Sequence, residues 1–154
     1  MLTALSIRDI VLIEKLDIAL DAGLTVLTGE TGAGKSILLD ALGLALGARG
    51  DSSLVRTGAE RGVVTAAFAL PHAHPAFAIL REQGVDADGE LVIRRIQNAD
   101  GPSRASINDQ PVSLNLLRQI AVALAEIHGQ HADRALVDVT AHRRLLDAFG
   151  GNEA

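Results

Sequence analysis

The chain has 154 residues, 48% of them apolar, enough for about one domain with a buried core. It has no cysteine, which excludes a disulfide framework and thiolate metal sites and favours a reducing compartment. A formal charge of −5, scattered arginines and an aromatic content of 2% argue against a nucleic-acid surface or a base-stacking platform in this chain alone.

Residues 2–7 and 10–20 carry apolar residues at strand spacing, with clean alternation from Lys15 to Leu20. The charged positions of "EKLDIALDAG" suit a solvated strand face. Asp21-Ala22-Gly23 signals a turn. Residues 24–28, "LTVLT", form a short β-branched apolar run, the pattern of a strand covered on both faces. Residues 36–46 predict a helix with apolar side chains on almost every side, hence a buried one, stopped at Gly47. After a polar bend, "VVTAAFAL" at 63–70 reads as a strand. Pro71 and Pro75 punctuate a loop before a short helix over 75–83. "ELVIRRIQ" and "SRASIND" flank "NADGP", an antiparallel hairpin with a four- or five-residue turn. Ser113 caps a helix whose apolar positions are mostly core, and a last amphipathic helix is expected over 140–149. Residues 1–149 therefore read as one lobe and 150–154 as a flexible end or linker. No period of about 20 to 50 residues repeats. No secretion signal and no uninterrupted apolar stretch of about 18 residues is present, so a cytoplasmic protein without membrane attachment is expected.

The stretch Gly29-Glu30-Thr31-Gly32-Ala33-Gly34-Lys35-Ser36 matches G-x-x-x-x-G-K-[ST]. Glycines let successive backbone N–H groups turn inward into a nest for phosphate oxygens, and the following helix adds its positive N-terminal pole. Lys35 reaches the β- and γ-phosphates as a compact cation, and the Ser36 hydroxyl is placed to ligate Mg²⁺. The chain has only two lysines, Lys15 and Lys35, against twelve arginines, so a lysine at the motif position is not background composition. The pattern calls for a nucleotide phosphate as ligand. Hydrolysis also needs an apolar strand ending in an acidic residue. "ALVDV" around Asp138 and "LLDAF" around Asp147 read instead as loop and helix, so the chain holds half of an active site. A small P-loop kinase is the competing reading, with "RRIQNADGPSR" as its arginine-bearing lid, although no acceptor pocket stands out. A nucleotide-gated assembly module with little turnover is a third.

Four stretches carry a resemblance: residues 23–51, "SRASINDQPV" at 103–112, "IHGQH" at 127–131 and "HRRLLDAF" at 142–149. Together they resemble the N-terminal ATPase-head segment of the SMC-like ABC ATPases, in the branch that serves bacterial DNA repair. The resemblance implies an α/β P-loop fold, an ABC/SMC-type head lobe with a mixed sheet and an antiparallel part. It implies that the signature loop, the metal-side aspartate and the catalytic glutamate lie in a C-terminal half of the same head, beyond a long coiled coil. Two such heads would sandwich ATP as a homodimer, and the assembled protein would hold DNA during recombinational repair of double-strand breaks, in the cytoplasm at the nucleoid. By position, Gln130 takes the place of the Q-loop glutamine that touches Mg²⁺ and the attacking water. Arg56 in "LVRTG" takes the place of an arginine loop that reaches toward nucleotide or DNA.

The histidines are weaker signals. His128 and His131, with His142 further on, offer a neutral imidazole pair with no third acidic or thiol ligand nearby and suit loop packing better than zinc. His72 and His74 in "PHAHP" are no stronger.

Overall fold

The structure is a computed structural model that describes residues 1–28, 34–125, 127 and 150. Its frame is a six-stranded sheet in the order β2-β1-β3-β4-β5-β6, with every pairing antiparallel among the described residues. The strands are β1 (Leu2–Ile10), β2 (Ile13–Ala19), β3 (Arg61–Ala69), β4 (Glu90–Asn98), β5 (Arg104–Ile107) and β6 (Gln110–Val112). Helix α1 (Lys35–Ala45) packs on β1, β3 and β4, while α2 (Pro75–Glu82) and α3 (Leu114–Leu124) pack on each other.

The period of two in the strand sequences becomes two transverse rows on the inner face. Leu5, Ala66, Ile93 and Ile107 stand opposite one another across β1, β3, β4 and β5; so do Ile7, Val64, Arg95 and Ala105. All eight are buried, seven of them in the core cluster with Phe68, Leu91 and the inner sides of the helices. Burial on this scale, worth about 25 cal/mol per Å² of apolar surface, is what holds the sheet to the helices.

The β1–β2 hairpin closes through Val11 and Leu12, with Val11 at φ +50, an uncommon conformation for a β-branched residue. A hydrogen bond from the Val11 N–H to the Leu54 carbonyl (2.9 Å) and the Ile10–Val55 bridge hold it there. Gly62 on β3 is required by the same corner. A Cβ at Gly62 would collide with Ile10 Cδ1 and lie 2.8 Å from the Asp9 carbonyl oxygen.

The helix ends follow their caps. Ser113 accepts a hydrogen bond from the Leu116 N–H at 3.2 Å, and Leu116, Leu117, Ile120 and Ala121 form the buried stripe of α3. Ser113→Ala is expected to lower stability by about 1 kcal/mol, the usual worth of such a cap, read as a shift of the urea midpoint at constant slope. At the other side of the same helix Val122 is 86% exposed.

Two expectations need correction. Residues 24–28 are not in a strand, and Leu24, Val26 and Leu27 are 93%, 70% and 49% exposed. A strand exists only by pairing, and the six described strands pair among themselves and leave none beside this run. Helix α1 is buried on one flank and not all round: Ile37, Ala41, Leu44 and Ala45 are inside, whereas Asp40 is exposed and Leu39 is 44% exposed. The last helix expected over 140–149 and the linker at 150–154, apart from exposed Gly150, lie outside the described residues.

Candidate nucleotide site

Of the phosphate-loop motif, Gly34, Lys35 and Ser36 fall within the described residues; Gly29, Glu30, Thr31, Gly32 and Ala33 fall outside them. Gly34 is the N-cap of α1, and its carbonyl accepts a hydrogen bond from the Leu38 N–H at 3.2 Å. Among the described residues no side chain hydrogen-bonds at the cap, and no acidic residue lies in the first turn. Helix starts ordinarily satisfy their first N–H groups with Ser, Thr, Asp or Asn, so a start without such a cap suits an anion at its positive pole. Gly34 has φ −96, a conformation open to any residue, and a Cβ added there would meet no atom within 4 Å. Packing among the described residues therefore does not call for glycine at position 34, whereas close approach of a ligand to the backbone does. The buried flank of α1 on β1, β3 and β4 fixes where this helix start points, with Lys35 half-buried and Ser36 exposed beside it.

Arg56 lies elsewhere, against the β1–β2 hairpin. Its guanidinium is 3.2 Å from Glu14 and 3.9 Å from Asp9, and its backbone N–H donates to the Asp9 carbonyl at 3.0 Å. The side chain is 40% exposed, so these ion pairs are weak ones. Just before it, Asp51 caps the 3₁₀ turn Ser52–Leu54. Hydrogen bonds from the Ser53 backbone and hydroxyl hold its carboxyl below the usual carboxylate range.

Gln130, His128, His131, His142, Asp138 and Asp147 lie outside the described residues. His74 caps α2, its Nδ1 accepting from the Ala76 N–H at 3.2 Å, and His72 Nδ1 is 2.5 Å from the Asp88 carboxylate. Among the described residues no group of three His, Cys, Asp or Glu side chains is arranged to hold a metal ion, and no helix is long and apolar enough to cross a membrane. The stretch that a kinase lid would occupy, 94–104, is the end of β4, its turn and the first residue of β5, paired through Arg94–Ser106, Arg95–Ala105 and Ile96–Arg104. A strand locked in the middle of a sheet does not open and close over a substrate.

Sequence reading missed a buried polar pair, Arg95 and Gln97, on the inner face of β4. "LVIRRIQ" is apolar on both faces, so alternation alone did not say whether Arg94 or Arg95 points inward. The register with β3 and β5 decides it.

Comparison with known proteins agrees with this geometry. The chain is 47% identical over 152 residues to the DNA repair protein RecN of Halalkalibacterium halodurans, covering 98% of this chain and 27% of that protein. It thus spans between a quarter and a third of the length of the curated relatives it matches. Among solved structures it superposes with TM-score 0.71 on an Smc head domain from Pyrococcus yayanosii, at 21% identity, covering 97% of this chain and 32% of that one. It also superposes with TM-score 0.70, at 23% identity, on a structure from work on ATP-driven dimerisation and DNA-stimulated activation of SMC ATPases, covering 96% of this chain and 98% of that one. These likenesses show the fold of an SMC-type head lobe. Residues 4–122 match the family model described as "AAA domain", and on fold, motif and sequence together the chain belongs to that family.

Proposed function

We propose that this chain is the ATP-binding lobe of an SMC-like ATPase head that serves recombinational repair of DNA double-strand breaks. The observation that carries the reading is a G-x-x-x-x-G-K-S motif whose last three residues open α1 on an SMC-type fold. The 47% identity to RecN supports the assignment to repair.

In this reading residues 29–36 wrap the triphosphate of ATP with backbone N–H groups, and Lys35 neutralises charge on its outer phosphates. Ser36 supplies one neutral oxygen to Mg²⁺. That fits an ion that keeps several waters and phosphate oxygens and takes only one or two protein ligands. Gln130 positions the attacking water, and Arg56 reaches for nucleotide or DNA once it leaves its weak pairs with Glu14 and Asp9.

Turnover requires the rest of the head. Leu24, Val26 and Leu27 have the composition of a covered strand and are exposed here, which supports a C-terminal half of the same head as their cover. A second head closes the site, ATP drives the two together, and the assembly tethers DNA in the cytoplasm at the nucleoid.

Phosphate release measured on this chain alone, on the intact protein, and on the intact protein across a dilution series tests the proposal. Turnover is expected only for the intact protein and only above the concentration at which two heads associate with ATP. Brisk hydrolysis by the isolated chain, or phosphoryl transfer to a small-molecule acceptor, would overturn it.

A further inference from the structure

In the row Ile7, Val64, Arg95, Ala105 a guanidinium stands where its three neighbours are apolar. Arg95 is 0% exposed, and none of its nitrogens Nε, Nη1 and Nη2 has a hydrogen-bond partner. Gln97, two residues on and on the same face, is 4% exposed, and its Oε1 also lacks a partner. Buried donors and acceptors are almost always satisfied, so two such groups side by side require an explanation.

The surroundings narrow it. The strap that follows α1 covers both groups: a Cβ at Gly50 would collide with Gln97 Oε1 and lie 3.4 Å from Arg95 Nη2. Gly47, at φ +93, begins the strap, and its carbonyl accepts from Arg118 Nε of α3 at 2.8 Å. Burial and, to a smaller extent, the charge of Arg118 pull the Arg95 pKa down. Arginine does not deprotonate in proteins, so it keeps its charge when buried. A shift of the strap could bring a carbonyl to Arg95, yet a carbonyl supplies no counter-charge to this buried cation. An anion removes both problems.

The amide of Gln97 says which anion. Its Nε2 donates to the carbonyls of Asn98 (3.0 Å) and Gly101 (3.5 Å), which fixes Oε1 as the atom turned toward Gly50. The ligand must then accept from guanidinium groups and donate to an amide oxygen. Carboxylate and sulfate at neutral pH only accept; a phosphate that retains a proton does both.

We propose that Arg95, Arg118 and Gln97 bind a hydrogenphosphate-type oxyanion beneath the Gly47–Gly50 strap. This second phosphate site is independent of the nucleotide reading above. It lies at the far end of α1, about 16 Å from the phosphate-loop end for a helix of eleven residues.

The test uses the intact protein with its nucleotide site saturated by a non-hydrolysable ATP analogue, titrated calorimetrically with inorganic phosphate, sulfate, acetate and AMP. Inorganic phosphate is expected to bind at one further site and to raise the unfolding temperature. Sulfate and acetate are expected to bind at least about tenfold more weakly, the factor carried by one hydrogen bond. AMP binding as well as phosphate would identify an esterified phosphate as ligand; AMP failing would identify the free ion, and both support the site. Arg95→Met should abolish the phosphate response with analogue binding unchanged. Arg118→Gln, at an exposed position, should weaken phosphate about tenfold and keeps the test decisive if the core variant does not fold. A phosphate response that survives in the variants, equal binding of phosphate and sulfate, or no second site at all would overturn the proposal.

Discussion

Lys35→Ala is expected to lower ATP hydrolysis by the intact protein by roughly a hundredfold or more, measured as phosphate release at saturating nucleotide. The reason lies in the placement of the cation. Lys35 is the first residue of α1 and only half-buried, at the helix end where the outer phosphates would lie. Truncating a side chain outside the core ordinarily changes stability by about 0.5 kcal/mol or less. The unfolding temperature should therefore change little while turnover collapses. Loss of activity together with a large loss of stability would mean that Lys35 is structural. Retention of more than a third of the turnover would mean that the loop does not work as described.

Phe68→Ala should have the largest effect on folding, about 3 to 5 kcal/mol, through lost burial and the cavity left behind. Phe68 is 0% exposed on β3, opposite Leu2 of β1 and Leu91 of β4, inside the cluster that joins the sheet to α1 and α2. Chemical denaturation is expected to show a midpoint shifted well down with the slope preserved. Phe68→Leu, which keeps most of the volume, should recover more than half of the loss. A cost below about 1 kcal/mol for the alanine variant would show that this part of the core collapses around the gap and is not tightly packed.

The contrast between positions 28 and 36 shows how far the chain could be read in advance. The motif from Gly29 to Ser36 is a matter of residue identity at fixed spacing, and its chemistry needs no partner from elsewhere in the chain to be recognised. The run just before it, Leu24 to Thr28, has the right composition for a covered strand but sits exposed among the described residues. Composition reports what a segment can bury, and pairing reports what is there to bury it. The same limit applies to Arg56, whose sequence neighbourhood suggests a loop cation and whose pairs with Glu14 and Asp9 come from a hairpin more than forty positions away.

Local signals were sufficient where the cause is local. The alternation in β1, β2 and β3, Pro71 before α2 and Pro75 at its first position, the Ser113 cap and the β4–β5 turn each involve residues a few positions apart, and each element appears within a few residues of its expected place. The strand order and the inward position of Arg95 needed the assembled sheet. A strand that is apolar on both faces does not reveal its buried side, because a slip of one residue exchanges the two faces and only the register with β3 and β5 selects one. The phosphate loop was thus written in adjacent residues, whereas the buried guanidinium under the Gly47–Gly50 strap arises from groups on β4, α3 and the end of α1 that meet only when the chain has folded.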